Sequence, residues 1–224
     1  LGVDTTLSGT NINFASTVNG SSADTESLTI TGNVDFNGIV GGSTSLEFLT
    51  VSGTTSLDGG NVTTAGIQTF TGATTLGADA TLSGTNVSFV STLNGAQNLT
   101  ISTSGLTSFG STVGNSAALT SLTTDASGTV AFSGDVTTTG AQSFSDAATL
   151  NANAAFSSTG NSDIIFGGTI NGAQTLSVTT DGNTTFGGII GATNALTSVT
   201  TDAGGTTNLN GGNISTTGDQ SFGD

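Results

Sequence analysis

Apolar and polar residues alternate with period two along most of this chain. Leu28-Thr29-Ile30, Val34-Asp35-Phe36, Leu99-Thr100-Ile101 and Leu176-Ser177-Val178 each send one side chain to one side of the backbone and the next to the other. That alternation marks a half-buried strand. No window carries the i, i+3, i+4 apolar spacing of an amphipathic helix over a useful length. The apolar runs are short and punctuated by Gly, Asn and Asp, as in strands joined by tight turns. The pattern predicts an all-β chain.

A longer period overlies the alternation. Thr6-Leu7-Ser8-Gly9-Thr10-Asn11 returns as Thr81–Asn86 and, degraded, as Ala155–Gly160. The pair Asn19-Gly20 returns at Asn94-Gly95 and Asn171-Gly172, and Leu57, Phe132 and Leu209 align. The pentapeptide GxQ[ST]F stands at Gly66–Phe70, Gly140–Phe144 and Gly218–Phe222. These echoes divide the chain into three copies of about 75 residues, namely 1–75, 76–149 and 150–224. The chain ends about three residues short of a fourth copy, so it reads as an excerpt of a longer array.

Within each copy lies a finer echo. Phe89–Gly95 resembles Phe109–Asn115 at a spacing of 20 residues, and Phe166–Gly172 resembles Phe186–Ala192 at the same spacing. A unit of roughly 20 residues with three short strands is the rung of a parallel β-helix, or β-solenoid, with three or four rungs to a copy. One rung cannot bury its own Leu, Val, Ile and Phe, whereas stacked rungs share a core. The competing architecture is a tandem array of antiparallel β-sandwiches. In it, Asn94-Gly95 and Asp181-Gly182 would be hairpin turns.

Composition narrows the chemistry. The 224 residues include no Lys, Arg, His, Cys, Met, Trp, Tyr or Pro, and 15 acidic residues give a formal charge of −15. Without a basic patch the chain is not expected to bind nucleic acid. Without Cys or His it has no disulfides, no imidazole metal ligand and no Ser-His-Asp triad. No apolar run approaches the roughly 18 residues of a membrane span, so no membrane insertion is expected. The chain is not expected to be an enzyme, since paired carboxylates without an aromatic platform are a poor glycosidase.

Asp125, Asp181 and Asp202 each follow a Thr-Thr pair at a turn. They are the candidates for a calcium site, because carboxylates and turn carbonyls suit a hard cation. The alternative is that each accepts nearby backbone N–H groups. Calcium held loosely against the negative surface is the remaining cofactor reading. Thr63-Thr64, Thr137-Thr138 and Ser215-Thr216 raise the question of outward Thr rows of an ice-binding kind, though Thr is also a good exposed strand residue. Gln68, Gln142 and Gln220 form either a recognition stripe or corner residues bonded to backbone, with Phe70, Phe144 and Phe222 turned inward.

The stretches Leu119–Gly128, Val136–Leu150 and Thr185–Gly191 resemble the repeats of long bacterial surface proteins of the filamentous-haemagglutinin and autotransporter-adhesin type. The resemblance spans all three copies. It implies secretion, a β-helical shaft, and a role in adhesion or in cell-surface and matrix structure. The absence of Lys and Arg departs from that pattern. The function expected is an extracellular filament or surface-fibre shaft that supplies length, stiffness and protease resistance. The alternative is an adhesin stalk that presents a ligand-binding domain outside this segment. The partners expected are further copies of the chain, end to end or side by side.

Overall fold

The computed structural model describes residues 1–223. Its fold is an all-β parallel β-solenoid of about ten turns of about 21 residues, with no helix among the described residues. Every strand pair among the described residues is parallel. The antiparallel sandwich is therefore excluded. Leu93-Asn94 pairs with the turn below, and Thr175–Thr179 and Asn183–Phe186 pair with different strands, so Asn94-Gly95 and Asp181-Gly182 are corners between faces and not hairpin turns. Local pattern and global fold agree here: short alternating runs make strands, and polar corners let each strand lie on its counterpart one turn below.

Three ladders run along the axis, and each turn visits them in a fixed order. The first face climbs through Leu7, Ile30, Val51 and Phe70. The second climbs through Phe14, Phe36, Leu57 and Leu76. The third climbs through Val18, Val40, Val62 and Leu82. The strand Leu28–Phe36 is long enough to serve the first two faces at once. Turn length varies from 18 residues (Thr129 to Ala147) to 24 (Ile190 to Ile214). The surplus is taken up at corners, so the inward residues stay in register.

The buried apolar residues form one continuous cluster from Val18 to Val199. Phe36, Phe70, Phe89, Phe109, Phe132 and Phe144 are among its fully buried side chains. Each such ring contributes about 1.5–3 kcal/mol relative to exposure in water. On the first face Phe70, Phe89, Phe109 and Phe132 stack on one another, with centroids 5.2, 5.7 and 5.4 Å apart.

The sequence repeat and the turn do not coincide. Leu7 lies on the first face, its counterpart Leu82 on the third, and Phe156 on the second. From Leu7 to Leu82 the chain crosses eleven faces, through Phe14, Val18, Ile30, Phe36, Val40, Val51, Leu57, Val62, Phe70 and Leu76. Each copy thus advances three and two-thirds turns, about 18 Å at the roughly 4.8 Å spacing of paired strands. Three copies make thirty-three faces, or eleven turns, and return the pattern to its starting face.

Candidate functional site

No ligand-sized pocket opens among the described residues. What recurs with defined chemistry is a set of corners, repeated once per copy.

The first corner is the GxQ[ST]F motif. Alternation turns Gln68 and Gln142 inward, beside the Phe two residues on, and both are fully buried. Gln142 Nε2 donates to Thr138 Oγ1 at 3.1 Å, to the Ser157 carbonyl of the next turn at 2.9 Å, and more weakly to the Val136 carbonyl. Gln68 makes the same three contacts with Thr64, Ser83 and Val62. The buried amide ties three segments together, so the recognition-stripe reading fails for these two positions. Its Oε1 has no partner at either site. Thr64 and Thr138 are correspondingly buried and do not form outward Thr rows. They turn inward because they stand two residues after the inward Val62 and Val136, and there each hydroxyl accepts the Gln amide. Outward hydroxyls do line the first face, where Thr6, Thr29, Thr50 and Thr69 stand in register, followed by Ser88 and Ser108. Ala131 interrupts that ladder.

The second corner follows Val40, Val113 and Ile190, where the chain bulges before Leu46, Leu119 and Leu196. Gly41, Gly114 and Gly191 adopt φ of 71°, 74° and 72° there. A Cβ at any of them would also run into the carbonyl of Thr63, Thr137 or Ser215 in the turn above. The bulge is held from the turn below. Asn94 Oδ1 accepts the backbone N–H groups of Ser116 at 2.9 Å and Ala117 at 3.3 Å. Asn19 and Asn171 hold Ser43-Thr44 and Thr193-Asn194 in the same way.

The Asp corners follow the same logic. Asp125 accepts the Thr103 N–H at 3.2 Å and the Ser102 hydroxyl at 3.1 Å. Asp202 accepts the Thr180 N–H at 3.2 Å. Asp181 stands on an exposed corner and engages in neither clamp. Among the described residues no three acidic groups come together in a metal-binding cluster. Asp79 follows the clamp pattern too, and the bonds it accepts from Asn98 hold its carboxyl below the usual carboxylate range. The Ser21 hydroxyl does the same for Glu26.

Asp146 is the exception, and sequence reasoning missed it. It lies in the wall beside Phe144, almost wholly buried. Oδ1 accepts the Gly128 N–H at 2.9 Å, but Oδ2 has no partner. Burial, aided by the charge of Asp125, outweighs that bond and raises its pKa. Its sequence context, Phe-Ser-Asp-Ala, offered no sign of this, because a turn Asp is ordinarily solvated.

At the upper end Gln220 keeps only two of the three amide contacts, to Thr216 Oγ1 and the Ile214 carbonyl, and it is exposed. Leu209 is 45% exposed. At the lower end Leu1, Leu7, Ile12 and Phe14 are only partly covered by the core. Comparison with protein-family models, with curated proteins and with solved structures finds no match to this chain.

Proposed function

We propose that this chain is a length of shaft in an extracellular filament or surface fibre, and that its work is mechanical. The observation that carries this reading is the continuous core beneath three unbroken ladders, with the recurring polar residues of each copy clamping one turn to the next. The Gln, Asn and Asp corners bond to backbone rather than presenting a cavity. A chain built by adding turns gains reach without needing a new fold for each increment. The absence of Lys and Arg leaves no site for a trypsin-type protease, and closely stacked turns offer few loops to others. The surface charge of −15 keeps neighbouring shafts soluble and opposes their close lateral packing.

The test is electron microscopy of native material bearing this chain. A thin, unbranched fibre with a strong axial spacing near 4.8 Å is the expected result. A fibre without that spacing, or material in which the chain is confined to a soluble globular particle, overturns the reading. A binding domain found at the tip of the fibre would assign the shaft to an adhesin stalk.

A further inference from the structure

Asn precedes Gly at five places in this chain, at Asn19, Asn37, Asn94, Asn171 and Asn210. Asn is a thermolabile residue, and most so before Gly, where no Cβ hinders the next backbone nitrogen from reaching the side-chain carbonyl carbon. That nitrogen bonds to Asn Cγ, the bond from Cγ to the side-chain nitrogen breaks, and ammonia leaves carrying the proton of the Gly N–H. Water then opens the five-membered imide at one carbonyl or the other, which leaves aspartate or isoaspartate. The reaction needs a side chain free to swing back on its own backbone and a Gly N–H not engaged elsewhere.

Three of the five pairs meet neither condition. Asn94 Oδ1 accepts the N–H groups of Ser116 and Ala117, and the Gly95 N–H donates to the Ala117 carbonyl at 3.1 Å. Asn171 holds Thr193 and Asn194 while the Gly172 N–H donates to the Asn194 carbonyl at 3.2 Å. Asn19 holds Ser43 and Thr44 while the Gly20 N–H donates to the Thr44 carbonyl at 3.1 Å. All three side chains are half-buried. At Asn210 the residue is exposed, but the Gly211 N–H donates to the Phe186 carbonyl at 2.9 Å.

Asn37 differs on both counts. It is exposed, and its side chain makes no hydrogen bond among the described residues. The Phe14 carbonyl below accepts the Asn37 N–H at 2.9 Å and leaves that of Gly38 free. One turn higher the same corner is closed, because the Phe36 carbonyl accepts the N–H groups of both Asp58 and Gly59, at 2.9 and 2.8 Å.

We infer that Asn37 is a modification site, deamidating in the folded chain ahead of the other four Asn-Gly pairs by attack of the Gly38 nitrogen on its side chain. Aspartate there sets a new carboxylate one turn below Asp58, since Phe36 and Leu57 are paired. Isoaspartate routes the backbone through the former side chain and adds a methylene to the corner. The corner has no room for it: a Cβ on Gly59 would lie 2.2 Å from the Gly38 carbonyl carbon, and one on Gly38 2.5 Å from that of Ser16. The isoaspartyl form therefore loosens the stack at this level, and the amide of Val40, which donates to the Asn61 carbonyl, exchanges its hydrogen faster.

The experiment is incubation of the folded 224-residue chain at mildly alkaline pH, in buffer and in denaturant. The chain is then cut after Phe and Leu and the amide-to-acid conversion at each Asn is followed by mass spectrometry. In buffer Asn37 converts about tenfold or more faster than Asn19, Asn94 and Asn171, each of which must first give up several hydrogen bonds. In denaturant the five rates draw together. Labelling by a methyltransferase specific for isoaspartyl groups falls in Asn37→Gln, whose longer side chain closes the ring poorly and whose exposed position leaves the fold intact. Conversion at Asn37 no faster than at the three clamped sites overturns the inference. So does an advantage that persists in denaturant, which would belong to local sequence, or undiminished labelling of Asn37→Gln. None of these outcomes bears on the shaft reading.

Discussion

The phenylalanines of this core meet in two ways. Along the first face, Phe70, Phe89, Phe109 and Phe132 lie nearly parallel, with interplanar angles of 15°, 5° and 9°. One level higher, Phe132, Phe144, Phe156 and Phe166 meet edge to face, mostly at 70° to 87°. The difference follows from the ladders. Rings on one face share a register and a rotamer, so they stack in offset fashion. Rings from different faces approach across the core at an angle, and the aromatic quadrupole favours an edge against a π-face. The mixed cluster exists because the eleven-face repeat deals successive Phe positions to different faces, so that three of them converge at one height.

The largest expected effect tests that convergence. Phe132 belongs to both arrangements, touching Phe109 by stacking and Phe144 and Phe156 by edge contacts. Phe132→Ala should cost about 5 kcal/mol in denaturant unfolding, and Phe89→Ala, within the stack alone, about 3 kcal/mol. Equal losses would mean that the cross-face contacts add nothing. Gly114→Ala comes next, at about 2 kcal/mol, because it combines a strained φ with a collision against the turn above. A neutral outcome in thermal unfolding would show that the corner yields freely.

Asp146→Asn gives the smallest effect and the opposite sign. The folded-state pKa of Asp146 is raised above its unfolded value. The folded state therefore disfavours the carboxylate: the penalty is absent below the unfolded pKa and develops as pH rises through the folded one. The variant keeps an acceptor for the Gly128 N–H while removing the charge. It should raise the unfolding midpoint at neutral pH, and the advantage should vanish in acid. A difference that persists unchanged below about pH 3 would assign the effect to packing instead of ionisation.

Much of this was legible in the sequence. Period-two alternation identified the strands, the Phe echoes identified the rung, and the inward Phe of GxQ[ST]F was foreseen. The phase of the repeat was not, because turns of 18 to 24 residues hide which face a given strand joins. The inward Thr64 and Thr138 follow from alternation with Val62 and Val136, but their composition alone suited an outward row equally well. Asp125 and Asp202 accept backbone N–H groups at corners, a geometry that alternation alone does not distinguish from a cation site. Burial of Asp146 depends on what the neighbouring turns place over it, which no local window contains.

The mismatch between copy and turn has a mechanical consequence. A rod whose sides differ bends most easily about one axis and acquires a weak plane. Here every copy hands its bulged corner, its aromatic load and its buried amide to another side. Averaged over three copies, flexural rigidity is the same in all directions, as in plywood laid with its grain turned from layer to layer.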